Sequence, residues 1–269
     1  MRNTIFYLLV AASSAAQGQS VMEPLGTRYL LLTTLAPSFT SAAAQEFNPA
    51  ATAHLTRFSA TLSGERRFLL RELSSYRLHA AFPFAKGSAG AGLVSGSNPS
   101  WQELGLRGSY ARRLGPRAAV GIGVQWLQVG NSTYGRASAL IASAGFQWEL
   151  APGVHAALQV SNPARTRLGK EQDERLPATY SLGAGWQLEG QWMLAAALLH
   201  RDGHPPSLLA GAEYVFAKLL RARCGVDSGA PAAWLGLGTT AAGLRLDVTV
   251  TLHRELGASP VLQLIYPAQ

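Results

Sequence analysis

Residues 117–129 read R-A-A-V-G-I-G-V-Q-W-L-Q-V. Val120, Ile122, Val124 and Trp126 recur at every second position, with Ala119, Gly121, Gly123 and Gln125 between them. Period two sends the two sets to opposite faces of a strand. A strand of a soluble protein turns its apolar face to a core and its charges to water. Here the second face is small and only weakly polar, and no charge follows Arg117. Such a strand suits a wall with lipid on one side and a crowded polar lumen on the other.

The pattern recurs along the chain. Leu140, Ala142, Ala144, Phe146 and Trp148 alternate with Ser143, Gly145, Gln147 and Glu149. Tyr180, Leu182, Ala184, Trp186 and Leu188 alternate with Ser181, Gly183, Gly185 and Gln187. Leu244, Leu246, Val248, Val250 and Leu252 alternate with Arg245, Asp247, Thr249, Thr251 and His253. Charged residues make up 14% of the 269 residues, against about 25% in soluble domains. After the N-terminus no run reaches the ~18 apolar residues of a spanning helix. Low charge without such a helix points to a chain whose apolar residues are dispersed along strands.

Fourteen strand-sized pieces follow one another from Leu55–Leu62 to Pro260–Tyr266. The links after even-numbered pieces are tight, as at Ala85-Lys86, Ala151-Pro152 and Glu189-Gly190. Those after odd-numbered pieces read as longer and polar, as at Ser97–Ser100, Asn131–Tyr134 and Ser161–Leu176. A soluble β-sandwich gives no reason for this alternation, whereas a membrane barrel with both termini in the periplasm does. The expected fold is therefore all-β: a fourteen-stranded antiparallel transmembrane β-barrel, with twelve strands as the alternative.

The N-terminus reads as a cleaved signal peptide over residues 1–18. Arg2 is followed by the apolar Ile5–Ala12 and the small residues Ser13, Ser14, Ala15 and Ala16. Residues 19–53 lack strand periodicity. They hold an alanine-rich piece, Ser41–Glu46, stopped by F-N-P-A-A at 47–51, because the residue before a proline avoids the α region. This segment is expected to form a hatch around Phe47, Asn48 and Pro49, and residues 54–269 the outer-membrane barrel. Inward glycines, among them Gly121, Gly145, Gly183 and Gly211, would leave room for hatch backbone. The chain carries a net charge of +8. An exported chain does not meet nucleic acid, so outer-membrane lipid and lipopolysaccharide are the expected anionic partners.

Four pieces carry a family resemblance: F-N-P-A-A at 47–51, L-P-A-T-Y-S-L-G-A-G-W at 176–186, G-A-E-Y-V-F at 211–216 with L-L-R-A-R-C-G at 219–225, and G-L-R-L-D-V-T-V-T-L-H-R-E-L-G at 243–257. In their order and spacing the chain resembles the PorV/PorQ-like barrels of the type IX secretion system, within the wider FadL-like class. The resemblance implies a fourteen-stranded barrel with a hatch near Asn48 and Pro49. It also implies a non-enzymatic accessory role with secretion-system subunits as partners. A FadL-like transporter of hydrophobic small molecules is the alternative.

No nucleophile or metal motif stands out, and no cofactor is implied. The single cysteine, Cys224, reads as a small strand residue. Gln125, Gln147, Glu149, Glu213, Arg245 and Asp247 are expected inside the lumen as a polar network, since an arginine facing lipid at mid-membrane costs ~2–4 kcal/mol. The longest link carries both charge signs, with Arg165, Arg167 and Lys170 as candidate surface contacts.

Overall fold

The computed structural model describes residues 25–98, 101–131, 135–169, 175–216, 219–230 and 232–267. In it the alternating stretches form β1 (Ser59–Arg66), β2 (Ser74–Phe84), β3 (Gly87–Asn98), β4 (Trp101–Leu114), β5 (Ala118–Asn131), β6 (Gly135–Ala151) and β7 (Val154–Ser161). The second half of the wall is β8 (Thr179–Leu188), β9 (Trp192–Arg201), β10 (Ser207–Phe216), β11 (Leu220–Asp227), β12 (Ala232–Ala241), β13 (Leu244–His253) and β14 (Gly257–Tyr266). Each strand pairs antiparallel with its neighbour in sequence. β14 returns to β1 with Ala60 opposite Tyr266 and Glu65 opposite Val261, which closes a fourteen-stranded barrel. Closure gives every strand two partners and leaves no open edge. The region expected as signal peptide lies outside the described residues.

The two faces of the wall differ as the period-two reading requires. Ile122 is 61% exposed on the outside and Leu237 70%, whereas Asp247 on the inside is fully buried. An apolar exterior of this extent matches hydrocarbon rather than water. Register sets the outward leucines in a line of lateral neighbours. Leu264, Leu62, Leu78, Leu93 and Leu106 follow one another, and Trp126 and Leu140 continue the line. Exposed aromatics gather toward the end with the tight turns, among them Phe82, Phe84, Tyr110, Trp148, Trp186, Trp192 and Tyr266. Aromatic rings at that level mark a membrane–water boundary.

Two sequence expectations need correction. The first strand begins at Ser59 rather than Leu55. Leu55 is apolar because it packs with Ala42 and Ala81 beneath the wall, not because it belongs to the strand alternation. The links after β3 and β5, expected to be long, span only residues 99–100 and 132–134. Their hairpins continue pairing to Asn98 opposite Trp101 and Asn131 opposite Gly135. The outward residues turn polar there, at Ser95, Gln102, Gln128 and Ser138. Backbone groups still need partners above the apolar band, so the strands outlast the pattern that revealed them. The links after even-numbered strands nevertheless all stay within three residues at one end, and the long 162–178 link lies at the other.

Candidate functional site: the lumen and its N-terminal segment

Residues 25–55 run inside the barrel. They form one helical turn, α1 (Leu30–Thr33), and three 3-10 turns at Pro37–Phe39, Ala42–Glu46 and Pro49–His54. The path starts beside Glu65 and Asp227, near the long-link end of β1 and β11. It descends to the short-turn end, where it enters β1. Nearly every side chain on it is buried.

One group of lumen residues is apolar. Tyr29, Leu30, Leu31, Leu32, Leu35 and Phe39 pack against Ala157, Met193, Ala195, Ala197, Leu209, Val215 and Trp234 of the wall. These wall residues occupy inward positions, where a water-filled pore carries polar groups. Leu35 lies over Gly185, where a Cβ would press on its backbone and its own Cβ.

The approach is equally close across the lumen. A side chain at Gly121 would collide with the backbone of Pro49 and Ala50, and one at Gly145 with Asn48. Asn48 Oδ1 accepts from Ala50 N at 2.9 Å and so caps the turn that Pro49 begins. Its Nδ2 donates to Phe146 O and Leu158 O of the wall, each at 3.4 Å. Phe47 packs at the margin of the apolar cluster. At this mouth His54 meets His155 and Glu149.

A second group, beside the apolar cluster, is charged and paired. Arg223 donates to Asp247 at 2.6 Å, Arg245 meets Asp247 at 3.1 Å, and Glu213 takes Arg221 at 3.2 Å and Arg223 at 3.4 Å. The Arg223 guanidinium lies 4.7 Å from the centre of the Tyr29 ring, which ties this network to the segment. Arg28 pairs with Asp227 at 2.6 Å. Around β1 and β2, Glu65 accepts from Gly26 N at 2.9 Å and from Arg77 at 3.1 Å, and Arg77 also meets Glu46 at 3.4 Å.

Of the residues read from sequence as a polar network, Glu213, Arg245 and Asp247 come together. Gln125 belongs to a separate group, accepting from Arg107 on β4. Gln147 donates to Thr34 O of the segment at 2.6 Å. Glu149 sits opposite His155 at the mouth, apart from the Glu213–Arg245–Asp247 group. Sequence reasoning missed Arg221, Arg223 and Gln45. Gln45 is fully buried; its Nε2 donates to Ala42 O at 2.9 Å and to Ala80 O and Ala91 O of the wall at 3.2 Å each. The signal available was a lone amide in an alanine-rich stretch.

At the long-link end, the β7–β8 link folds back over the lumen. Leu168 packs with the inward Leu127, Val129 and Ala139, next to Ala137, Ile141 and Leu176. Arg165 holds Asp202 of the β9–β10 link at 2.6 Å, and Arg167 pairs through its backbone with Arg175. Lys170 lies outside the described residues. The barrel therefore has an apolar patch at its mouth and an apolar strip deeper in.

These features define a barrel filled by its own N-terminal segment, with a fold like that of the FadL-like outer-membrane barrels. Three solved structures show the likeness. The CymD monoaromatic hydrocarbon channel is 11% identical with a TM-score of 0.65, covering 84% of this chain and 92% of its own. The Ralstonia pickettii toluene transporter TbuX is 12% identical with a TM-score of 0.63, covering 85% and 94%. A Pseudomonas aeruginosa FadL homologue is 13% identical with a TM-score of 0.57, covering 85% and 94%. No protein-family model matches the chain, and no curated protein is similar to it in sequence.

Proposed function

We propose that the chain is a non-enzymatic outer-membrane barrel that passes small hydrophobic molecules, reached through a cleaved signal peptide and oriented with its tight turns in the periplasm. The observation that carries this reading is the apolar strip of Met193, Ala195, Ala197, Leu209, Val215 and Trp234 on the inward face, covered by Leu30, Leu31, Leu32 and Leu35. A lumen built for ions or sugars gains nothing from such a strip. Each of those leucines loses about 1.5–3 kcal/mol if it is withdrawn into water. A hydrophobic molecule that covers the strip offsets that loss; a polar solute does not. Selectivity then resides in the hatch itself: it yields to solutes that replace its contacts. The apolar patch around Leu168 offers a first stop at the mouth.

The fold neighbours named as hydrocarbon channel and toluene transporter favour this reading over an accessory role in type IX secretion. The secretion reading rests on the four sequence pieces. The first of them, Phe47–Ala51, lies in the lumen against Gly121 and Gly145, a place that serves any hatch-bearing barrel. The test is uptake of radiolabelled toluene by Gram-negative cells expressing the full chain, because toluene crosses a phospholipid vesicle unaided but is slowed by a lipopolysaccharide leaflet. Toluene uptake should exceed that of benzoate, and Leu209→Asp, which puts a charge on the strip, should abolish it. Equal uptake of both solutes, or toluene uptake no faster than in cells without the chain, contradicts the proposal.

A further inference from the structure

We infer that the short-turn rim of β1–β5 is a binding site for the phosphodiester headgroups of anionic phospholipids. Arg57 precedes β1, Lys86 lies in the β2–β3 turn, Arg112 near the end of β4, and Arg117 in the β4–β5 turn. All four are exposed, and none makes an ion pair among the described residues. Register brings them together. Gly87, next to Lys86, is opposite Arg112, and Arg113 N donates to Lys86 O at 2.7 Å. With strands ~4.8 Å apart, the four cations share roughly 20 Å of rim.

Two further observations make this a lipid surface rather than a solvated edge. Directly above the cations, on the outward face, Phe58 packs on Phe82 at 5.1 Å and Phe84 stacks on Tyr110 at 5.7 Å. Rings there anchor the headgroup–acyl boundary, and lysine and arginine stems extend past them to the phosphate level. Among the described residues the charge is also concentrated here. Among the described residues, the rest of this rim presents Glu189 and no exposed lysine or arginine, because Arg221 and Arg245 turn inward and are buried. At the opposite end the cations are mixed with acids, as in the Arg165–Asp202 pair. An unpaired cationic quadrant under an aromatic shelf is complementary to a row of phosphodiesters. With the tight turns in the periplasm, the leaflet at that level is the phospholipid leaflet, so phosphatidylglycerol and cardiolipin are its occupants.

The full chain, purified in mild detergent with equal amounts of phosphatidylglycerol and phosphatidylcholine added, should retain phosphatidylglycerol in native mass spectra. Arg112→Gln combined with Arg117→Gln should weaken that preference by roughly fivefold per cation removed. Arg254→Gln, at the opposite end, should leave it unchanged; heat-modifiable migration on gels shows that each variant is folded. Equal retention of both lipids, or equal loss in the Arg254→Gln variant, overturns the assignment. So does lipid A as the molecule lost with the double variant. None of these outcomes depends on what the lumen transports.

Discussion

Asp247 has no exposed surface, yet it holds two guanidinium groups, Arg223 at 2.6 Å and Arg245 at 3.1 Å. Removing the carboxylate leaves two buried cations, of which Glu213 meets Arg223. Breaking a buried pair on one side costs about 3–5 kcal/mol. Asp247→Ala should therefore lower barrel stability by that amount, read as an earlier midpoint in urea unfolding in micelles; a shift under 1 kcal/mol would mean that lumen water solvates the pair. Part of this site was legible in the sequence. Arg245 and Asp247 stand two apart on one strand, so parity alone puts them on one face. Their union with Glu213, Arg221 and Arg223 depends on register across β10 to β13, which no local pattern encodes. Gln45 was illegible for a related reason: an amide that bonds three carbonyls leaves no period behind.

Elements show the same division. The strands were readable because neighbouring positions face lipid and lumen, two solvents as different as any in a cell. The 162–178 link has no such contrast along its length. Its inward turn rests on one leucine, Leu168, meeting Leu127, Val129 and Ala139, and on the Arg165–Asp202 clasp at its base. The Arg165 hydrogen bond, helped by Ala178 N and opposed by partial desolvation, holds the Asp202 carboxyl below the usual carboxylate range. A depressed pKa contributes docking that is complete above the ordinary value of about 4 and is lost as pH falls through the lower folded value. Proteolysis of this link should thus be slow at neutral pH and accelerate only in strong acid. Asp202→Asn should cut faster at neutral pH and lose most of the acid response. If the wild-type chain and Asp202→Asn are cut at the same rate at pH 7, the clasp does not hold the link. The link lies outside the membrane wall, so its release leaves the barrel itself folded.

At the scale of the whole molecule, two lengths of chain divide the work. The wall from Ser59 to Tyr266 is continuous in its pairing and has no hinge of its own among the described residues. The segment from Leu25 to Leu55 is held by side chains, by Asn48 and Gln45 to wall carbonyls and by leucines to the apolar strip. The proposed passage of hydrophobic solutes therefore requires the segment, rather than the wall, to move. A reversible lock tests this most directly. Gly185 lies so close to Leu35 that a Cβ built there comes within 2.8 Å of the Leu35 Cβ; a small shift brings Leu35→Cys and Gly185→Cys to disulfide geometry. Cys224→Ser removes the competing thiol. In cells carrying this variant in their outer membrane, toluene uptake should fall to the level of cells without the chain under oxidising conditions and recover when dithiothreitol is added. Uptake that is the same with the lock closed and open would contradict the account.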